Sequence, residues 1–159
     1  MTTLAALGIL TAPALADRKL VLKFKSHPAT PIKMDMNNDG GGMGAGDMVV
    51  YQPVSLFNLQ GRKVGQRGVF TSIISGEAGA ATSMAYSTVN LYFSGGNAIY
   101  ETLYAPGHFN APVPLKNGEV WRRAIVGGTG KYMGARGEDV VRYKGDWVYF
   151  ELTMYLPGT

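Results

Sequence analysis

The chain has 159 residues, of which 46% are hydrophobic and 16% charged, so its composition is globular and excludes a disordered chain. A chain of this length accommodates one domain with one core. The formal net charge of +4 comes mostly from scattered basic residues, which gives little support to nucleic-acid binding. The sequence contains no cysteine, so disulfides cannot stabilise it.

The first sixteen residues are uncharged and rich in Leu and Ala. They end in Ala14-Leu15-Ala16, and the charged Asp17-Arg18-Lys19 follows at once. This pattern predicts a signal peptide over 1–16 and a secreted or periplasmic protein. The apolar run is too short to cross a bilayer, so we expect no integral membrane segment after cleavage. The alternative is an ordinary N-terminal helix or strand, since no Lys or Arg precedes the apolar run.

The remaining chain is predicted to form one all-β domain. Residues 17–46 contain one short strand, at 19–25, and a long loop rich in glycine, methionine and Asx residues. From 47 to 159, short apolar runs alternate with glycine-containing turns, and no long stretch has a 3.6-residue period. The strands predicted there are 47–57, 66–75, 82–94, 97–105, 120–126, 137–144 and 147–156.

The last of these runs alternates cleanly between apolar and polar faces. Val148, Phe150, Leu152, Met154 and Leu156 share the apolar face, which is the pattern of a strand with one buried side. About eight strands joined by tight turns predict a single antiparallel up-and-down β-barrel, because closure removes exposed strand edges. A β-sandwich is the alternative.

The glycine-rich segment Gly127-Gly128-Thr129-Gly130-Lys131-Tyr132-Met133-Gly134-Ala135-Arg136-Gly137 is the densest local motif. It does not fit a Walker loop, because Tyr132 stands where that loop needs Ser or Thr. By itself it predicts a turn between two strands, with Arg136 as its anchor.

This segment resembles the glycine-rich signature of plant dirigent proteins, which steer the coupling of phenoxy radicals. It is also similar to a segment of allene oxide cyclases, which share the dirigent barrel. Gly46-Asp47-Met48-Val49, Arg62-Lys63-Val64-Gly65 and the closing stretch 149–158 resemble cyclase motifs as well. The resemblance covers about residues 46–158 and implies an eight-stranded barrel that assembles as a homo-oligomer, a trimer in these families.

A cyclase or coupling guide needs an apolar cavity with a few polar groups, and a carboxyl buried there has a raised pKa and acts as an acid. The catalytic candidates are Asp47, which falls in the cyclase-like Gly-Asp motif, Glu101, and Arg136 from the glycine-rich signature. The ligand-binding candidates are Tyr51, Tyr86, Tyr104, Tyr149 and Glu151. The alternative is that the acidic candidates form ion pairs on the solvent face of their strands and that the tyrosines pack in the core without contacting a ligand.

The predicted loop carries a partial metal-binding pattern. Residues 35–40 match the opening of a calcium-binding EF-hand loop, but Gly46 replaces its final Glu and no helices flank it. Four methionines near His27 give a soft-ligand alternative for copper: Met34, Met36, Met43 and Met48. The simpler interpretation of the calcium-like and the copper-like pattern is a flexible Asx-rich turn with incidental methionines. We therefore predict neither a metal nor a cofactor.

The sequence therefore predicts an exported barrel that binds a small lipophilic or phenolic molecule. One alternative is an isomerase or cyclase that confines a reactive intermediate beside a buried acid. Another is a non-catalytic structural or interaction barrel with a filled lumen. A lumen that contains a desolvated carboxyl would favour the enzyme, and a lumen without one would favour simple binding.

Overall fold

A computed structural model describes residues 16–36, 44–76, 84–106 and 117–158, except for the side chains of residues 104–106. Apart from two 3-10 turns, Ser94–Gly96 and Gly130–Tyr132, the regular elements in these ranges are β-strands. The strands are β1 (Arg18–Ser26), β2 (Pro31–Met34), β3 (Met48–Phe57), β4 (Lys63–Ser75), β5 (Met84–Phe93), β6 (Ala98–Pro106), β7 (Val120–Thr129), β8 (Arg136–Lys144) and β9 (Trp147–Leu156).

The strands form one antiparallel sheet in the order β1-β9-β8-β7-β6-β5-β4-β3-β2. Two further pairs, Lys25 with Phe57 and Ser26 with Leu56, join β1 to β3 and close the sheet. Eight strands, β1 and β3 to β9, therefore form a barrel. The predicted up-and-down β-barrel is confirmed, and the sandwich alternative is wrong.

Strand β2 is a correction to the sequence analysis, which placed Pro31–Met34 in a loop. It pairs with Met48–Tyr51 on the edge of β3 that β1 contacts only at Leu56 and Phe57. The strand is mostly exposed, so it lacks the alternation that marks a half-buried strand. Strand β2 pairs with the part of the β3 edge that β1 does not cover, and this part of the edge exists only in the folded barrel.

The buried core follows the predicted alternation. Each of the five residues of the apolar face of β9, from Val148 to Leu156, is at most 4% exposed. They pack inside the barrel against Phe24, Leu56 and Leu91, which are also buried. Burial of each such side chain stabilises the fold by roughly 1.5–3 kcal/mol, so this inner face anchors the barrel.

The glycine-rich segment contains the turn between β7 and β8, as predicted, but it also supplies the last three residues of β7 and the first two of β8. Gly137 has a φ of 154°, and a Cβ placed there would lie 2.1 Å from the carbonyl oxygen of Thr153 in β9. Glycine is required there because any side chain would collide with the neighbouring backbone. Within the described residues, no helix is long and apolar enough to cross a membrane.

Candidate functional site

Four charged side chains lie on the inner face of the barrel. Arg67 of β4, Glu101 of β6, Arg123 of β7 and Asp139 of β8 are 3%, 1%, 5% and 0% exposed. We call this set the lumen charge cluster. Charged side chains are almost never this buried unless they are paired, and burial of an isolated charge is strongly unfavourable. Their concentration inside an otherwise apolar barrel identifies the candidate site.

Strand alternation places these residues inward. Arg123 lies between Trp121 and Ile125 on the inner side of β7, and it stands opposite Asp139 in the register with β8. Glu101 stands opposite the buried Val89 of β5, next to a register shift between β6 and β7. The cluster therefore consists of charged residues on strand faces that otherwise form the core.

Arg123 is the centre of the cluster. Its Nη1 lies 3.4 Å from Oε2 of Glu101, to which it donates a hydrogen bond, and 3.8 Å from Oδ2 of Asp139. Both guanidinium groups stack near the ring of Phe150, with Cζ of Arg67 5.2 Å and Cζ of Arg123 6.0 Å from its centroid. Cation–π contacts of this kind partly offset the cost of burying the charges.

Several polar atoms of the cluster have no hydrogen-bond partner among the described residues. They include Oε1 of Glu101 and Nε of each arginine, whereas Asp139 has hydrogen bonds with the side chain of Glu101 and the backbone of Glu151. An unpaired buried donor or acceptor costs roughly 1–3 kcal/mol, so such atoms are uncommon in a lumen that is merely packed. These atoms offer hydrogen bonds to a bound molecule.

Burial changes the protonation of both acids. Burial, with a smaller contribution from the charge of Asp139, raises the pKa of Glu101 to about 8 even though Arg123 opposes the shift. Burial also raises the pKa of Asp139 to about 6, against the lowering effect of Arg123. The two acids titrate together, so at neutral pH the pair holds one proton and carries one negative charge, and Glu101 is the acid whose pKa is raised more.

Two tyrosines adjoin the cluster. Burial raises the pKa values of Tyr51 and Tyr143, and the charges of Arg67 and Arg123 oppose the rise at both residues. A hydrogen bond with Arg67 also lowers the pKa of Tyr143. The site therefore combines an acid, two guanidinium groups and two phenols beside the aromatic wall of Phe150.

Of the predicted site residues, Glu101 and Tyr51 lie in or beside the cluster. Asp47 is buried at the start of β3, where its carboxylate accepts hydrogen bonds from the backbone N–H of Met36 at 2.9 Å and Gly44 at 2.8 Å. These bonds tie together the two ends of the segment between β2 and β3. We therefore assign Asp47 a structural contact and do not include it in the candidate site.

Three further candidates lie outside the lumen. Arg136 is exposed and forms an ion pair with Asp17. Tyr149 and Glu151 line an open groove of about 650 Å³ over β1, β8 and β9. Glu151 lies there between Lys23, at 3.4 Å, and Arg142, at 3.7 Å, so it matches the solvent-facing ion pair kept as the alternative.

The remaining two tyrosine candidates are on neighbouring strands. Tyr86 is half-buried, and it alternates with the inward-facing Ala85 and Ser87, so it lies on the outer face of β5. Tyr104 pairs with Tyr86 in the register of β6, and its side chain lies outside the described residues. Neither tyrosine is placed at the cluster.

The sequence analysis did not single out Arg67, Arg123, Asp139 or Tyr143. The available signal was period-2 alternation, since Gly137, Asp139, Val141 and Tyr143 share one face of β8. A charge on an otherwise apolar strand face was therefore visible in the sequence. The side chains that this charge contacts from other strands were not visible in the sequence.

The predicted metal-binding patterns cannot be placed. Residues 37–43, which contain most of the calcium-like motif and Met43, lie outside the described residues. In the part of the chain that the structure describes, no group of three or more His, Cys, Asp or Glu side chains is assembled that could hold a metal ion.

Comparisons with known proteins identify the fold. No protein-family model matches the sequence, and no curated protein matches it. Among solved structures, a pyocyanin demethylase has a TM-score of 0.62 at 21% identity, covering 85% of this chain and 99% of its own. A pterocarpan synthase dirigent protein has a TM-score of 0.61 at 18% identity, covering 93% of this chain and 91% of its own.

A third similar structure is an exo-specific intermolecular Diels-Alderase. Its TM-score is 0.60 at 16% identity, and the match covers 88% of this chain and 98% of the Diels-Alderase. At these identities the likeness establishes the fold alone. The chain has the dirigent/cyclase-like β-barrel fold that the glycine-rich segment implied.

Proposed function

We propose that this dirigent/cyclase-like barrel binds a small lipophilic or phenolic molecule in its lumen, at the charge cluster. The observation that carries the proposal is the set of buried polar atoms on Glu101 and the two arginines that lack hydrogen-bond partners among the described residues. Small-molecule sites are mostly apolar with a few convergent polar groups, and Phe150 with two tyrosines supplies the apolar part. Proteins of this fold bear names that assign them reactions of small organic molecules, which supports the same class of ligand.

The binding proposal is tested by native mass spectrometry of the purified protein and by thermal shift with a panel of phenols and fatty-acid epoxides. We expect a co-purified or added molecule to raise the melting temperature of the wild type. Arg123→Met should abolish this shift, whereas Arg122→Met, on the exposed outer side of β7, should retain it. Absence of any ligand would instead support the structural barrel with a filled lumen.

A second candidate function is acid catalysis of an isomerisation or cyclisation. It is favoured by the raised pKa of Glu101, which keeps a proton on the buried acid pair at neutral pH, and by Oε1 of Glu101, which has no hydrogen-bond partner among the described residues. An acid whose pKa lies near the working pH is well matched to protonating a confined intermediate. The neighbouring arginines would stabilise the carboxylate that this transfer leaves behind.

The catalytic proposal is separable from binding. Glu101→Gln keeps the size of the side chain but cannot transfer a proton, so an epoxide or enone substrate that still binds should not turn over. The rate of the wild type should fall above about pH 8, where Glu101 loses its proton. A variant that retains both binding and full turnover would refute acid catalysis and leave the binding proposal intact.

We also propose export by cleavage after Ala16. Its support is that β1 begins at Arg18 and that Asp17 forms an ion pair with Arg136, so the barrel uses the chain from the predicted cleavage site onward. Intact-mass analysis of the protein recovered from its native compartment tests this, and we expect Asp17 at the N-terminus. Trimer formation stays a prediction, and light scattering of the mature protein tests it.

A further inference from the structure

Arg67 differs from Arg123 in its ionic contacts. Both carboxylates of the cluster lie within 4 Å of Arg123, whereas no ion pair among the described residues includes Arg67. Arg67 is nevertheless 3% exposed, and its Nε has no hydrogen-bond partner in the described structure. A buried guanidinium without a contacting carboxylate is costly, so its position needs a functional explanation.

The direct contacts of Arg67 are apolar and aromatic, while the charges of Arg123, Glu101 and Asp139 act on it from a greater distance. Its register partners are Val54 in β3 and Leu91 in β5, neither of which carries a charge. Phe150 stacks on the guanidinium, and the Tyr143 hydroxyl shares a hydrogen bond with it. These contacts hold the group in place without neutralising its charge.

The balance of charge in the cluster is positive. Burial lowers the pKa of Arg67 to about 10, which leaves the guanidinium charged at neutral pH. With Arg67 and Arg123 charged and one proton held by the pair of Glu101 and Asp139, the cluster carries two positive charges and one negative charge. We assign the excess positive charge to Arg67, because no carboxylate among the described residues contacts it.

We infer that Arg67 binds an anionic oxygen of the lumen ligand, as found in a carboxylate or an ionised phenol. The planar guanidinium presents several N–H donors in a fixed fork that suits such an oxygen, and the body of the ligand packs on Phe150. The inference rests on the proposed binding function and narrows it. The ligand is an amphipathic anion, and Arg67 determines specificity for its charge.

Matched probes of similar size and different charge test the charge preference in the wild-type protein. For the carboxylate we use 2-naphthoate with its neutral isostere 2-naphthamide, and for the ionised phenol we use 4-nitrophenolate at pH 8 with 4-nitroanisole. Calorimetry should give at least one anion an affinity about tenfold to a hundredfold above that of its neutral partner, the range expected for a charged hydrogen bond. The probe pair that shows the difference in affinity tells whether the anionic oxygen belongs to a carboxylate or to an ionised phenol.

Variants assign the preference to Arg67. Arg67→Met should bring the affinity for the preferred anion down to that of the neutral probe and leave the neutral probe unchanged. Arg67→Lys keeps the charge and should retain part of the preference, and it replaces Arg67→Met if the latter does not fold. Arg122→Met, an exposed arginine of the same protein, is the matched control and should bind like the wild type.

The outcomes separate this inference from the proposed function. Equal affinity of the wild type for both members of each pair overturns the inference while binding itself stands. An anion preference that survives in Arg67→Met, or that is undiminished in Arg67→Lys where Arg67→Met does not fold, also overturns the inference. Loss of the preference in Arg122→Met overturns it as well. If no probe and no member of the wider phenol and epoxide panel binds, the proposed function fails and this inference fails with it.

Discussion

Arg123 stands directly opposite Asp139 in the register of β7 and β8, yet its Nη1 lies closer to Glu101 on β6, at 3.4 Å, than to Asp139, at 3.8 Å. One guanidinium thus links acids from the strands on both sides of its own. With Arg123 shared in this way, neither acid contacts the second arginine of the lumen closely enough to form an ion pair. Arg123 therefore interacts with both acids of the lumen, and Arg67 interacts with neither at ion-pair distance.

Removal of Arg123 should destabilise the barrel. Arg123→Met leaves Glu101 and Asp139 buried without their nearest cation, and loss of one partner of a buried ion pair costs about 3–5 kcal/mol. The exposed neighbour Arg122 pairs only at the surface, so Arg122→Met should change the stability by no more than about 0.5 kcal/mol. Urea unfolding at pH 8 measures both. Equal losses in the two variants would contradict the role given to Arg123.

The stability of the protein should depend on Glu101 between pH 4.5 and 8. The pKa of Glu101 rises from its ordinary 4.5 to about 8 in the folded state, so the folded protein holds this proton more tightly than the unfolded chain. Its contribution to stability is therefore complete below pH 4.5 and is lost as the pH rises through 8. Each pH unit in this window removes up to about 1.4 kcal/mol.

Glu101→Gln has no such proton to lose, so its stability relative to the wild type should increase from pH 5 to pH 8. Denaturant unfolding at several pH values measures the difference. Glu138→Gln, at an exposed ion pair with Arg122, is the control and should show no comparable trend. A difference between Glu101→Gln and the wild type that is constant with pH would refute the raised pKa of Glu101.

Gly137 should tolerate substitution less well than Gly145. Gly145→Ala places its Cβ in open space and should cost about 1 kcal/mol for a positive φ of 58°. Gly137→Ala places its Cβ 2.1 Å from the carbonyl oxygen of Thr153 and should cost more, since the contact between β8 and β9 has to widen. Thermal unfolding compares the two variants. A smaller loss for Gly137→Ala would mean that the strands separate easily.

Asp47→Asn should loosen the segment between β2 and β3. The carboxylate accepts two backbone hydrogen bonds, from Met36 and Gly44, and the amide that replaces it can accept only through one atom. We expect a loss of about 1–3 kcal/mol and faster hydrogen exchange at those two amides. Unchanged exchange at both positions would show that Asp47 does not hold this segment.

Much of the architecture was predictable from local patterns. Alternation along Val148–Leu156 identified a strand with one buried face, and glycines marked the turns, because side-chain period and positive φ are properties of a few consecutive residues. For the same reason, the glycine-rich segment up to Gly137 was located correctly as a turn. These features depend on local sequence, and they amount to a closed barrel once the strands are joined in order.

The candidate site was predictable only in part. Glu101 and Tyr51 were visible as polar residues on β-like runs, but so was Arg136, which lies on the surface. A strand pattern tells which residues share a face, while the direction of that face and the strands it meets depend on register and closure. Asp47 illustrates the limit, since its contacts are with the backbone of the preceding segment.

The amino-acid sequence by itself determined the strands, their turns and the apolar faces, because short-range periodicity and glycine conformation encode them. Only the tertiary structure decided that Arg67, Glu101, Arg123 and Asp139, from four different strands, occupy one lumen. It also decided that Arg123 is shared by two acids while Arg67 has no contacting carboxylate among the described residues. The physical reason is that barrel closure brings together residues far apart in the chain, and only that assembly excludes water and shifts the pKa values of the acids.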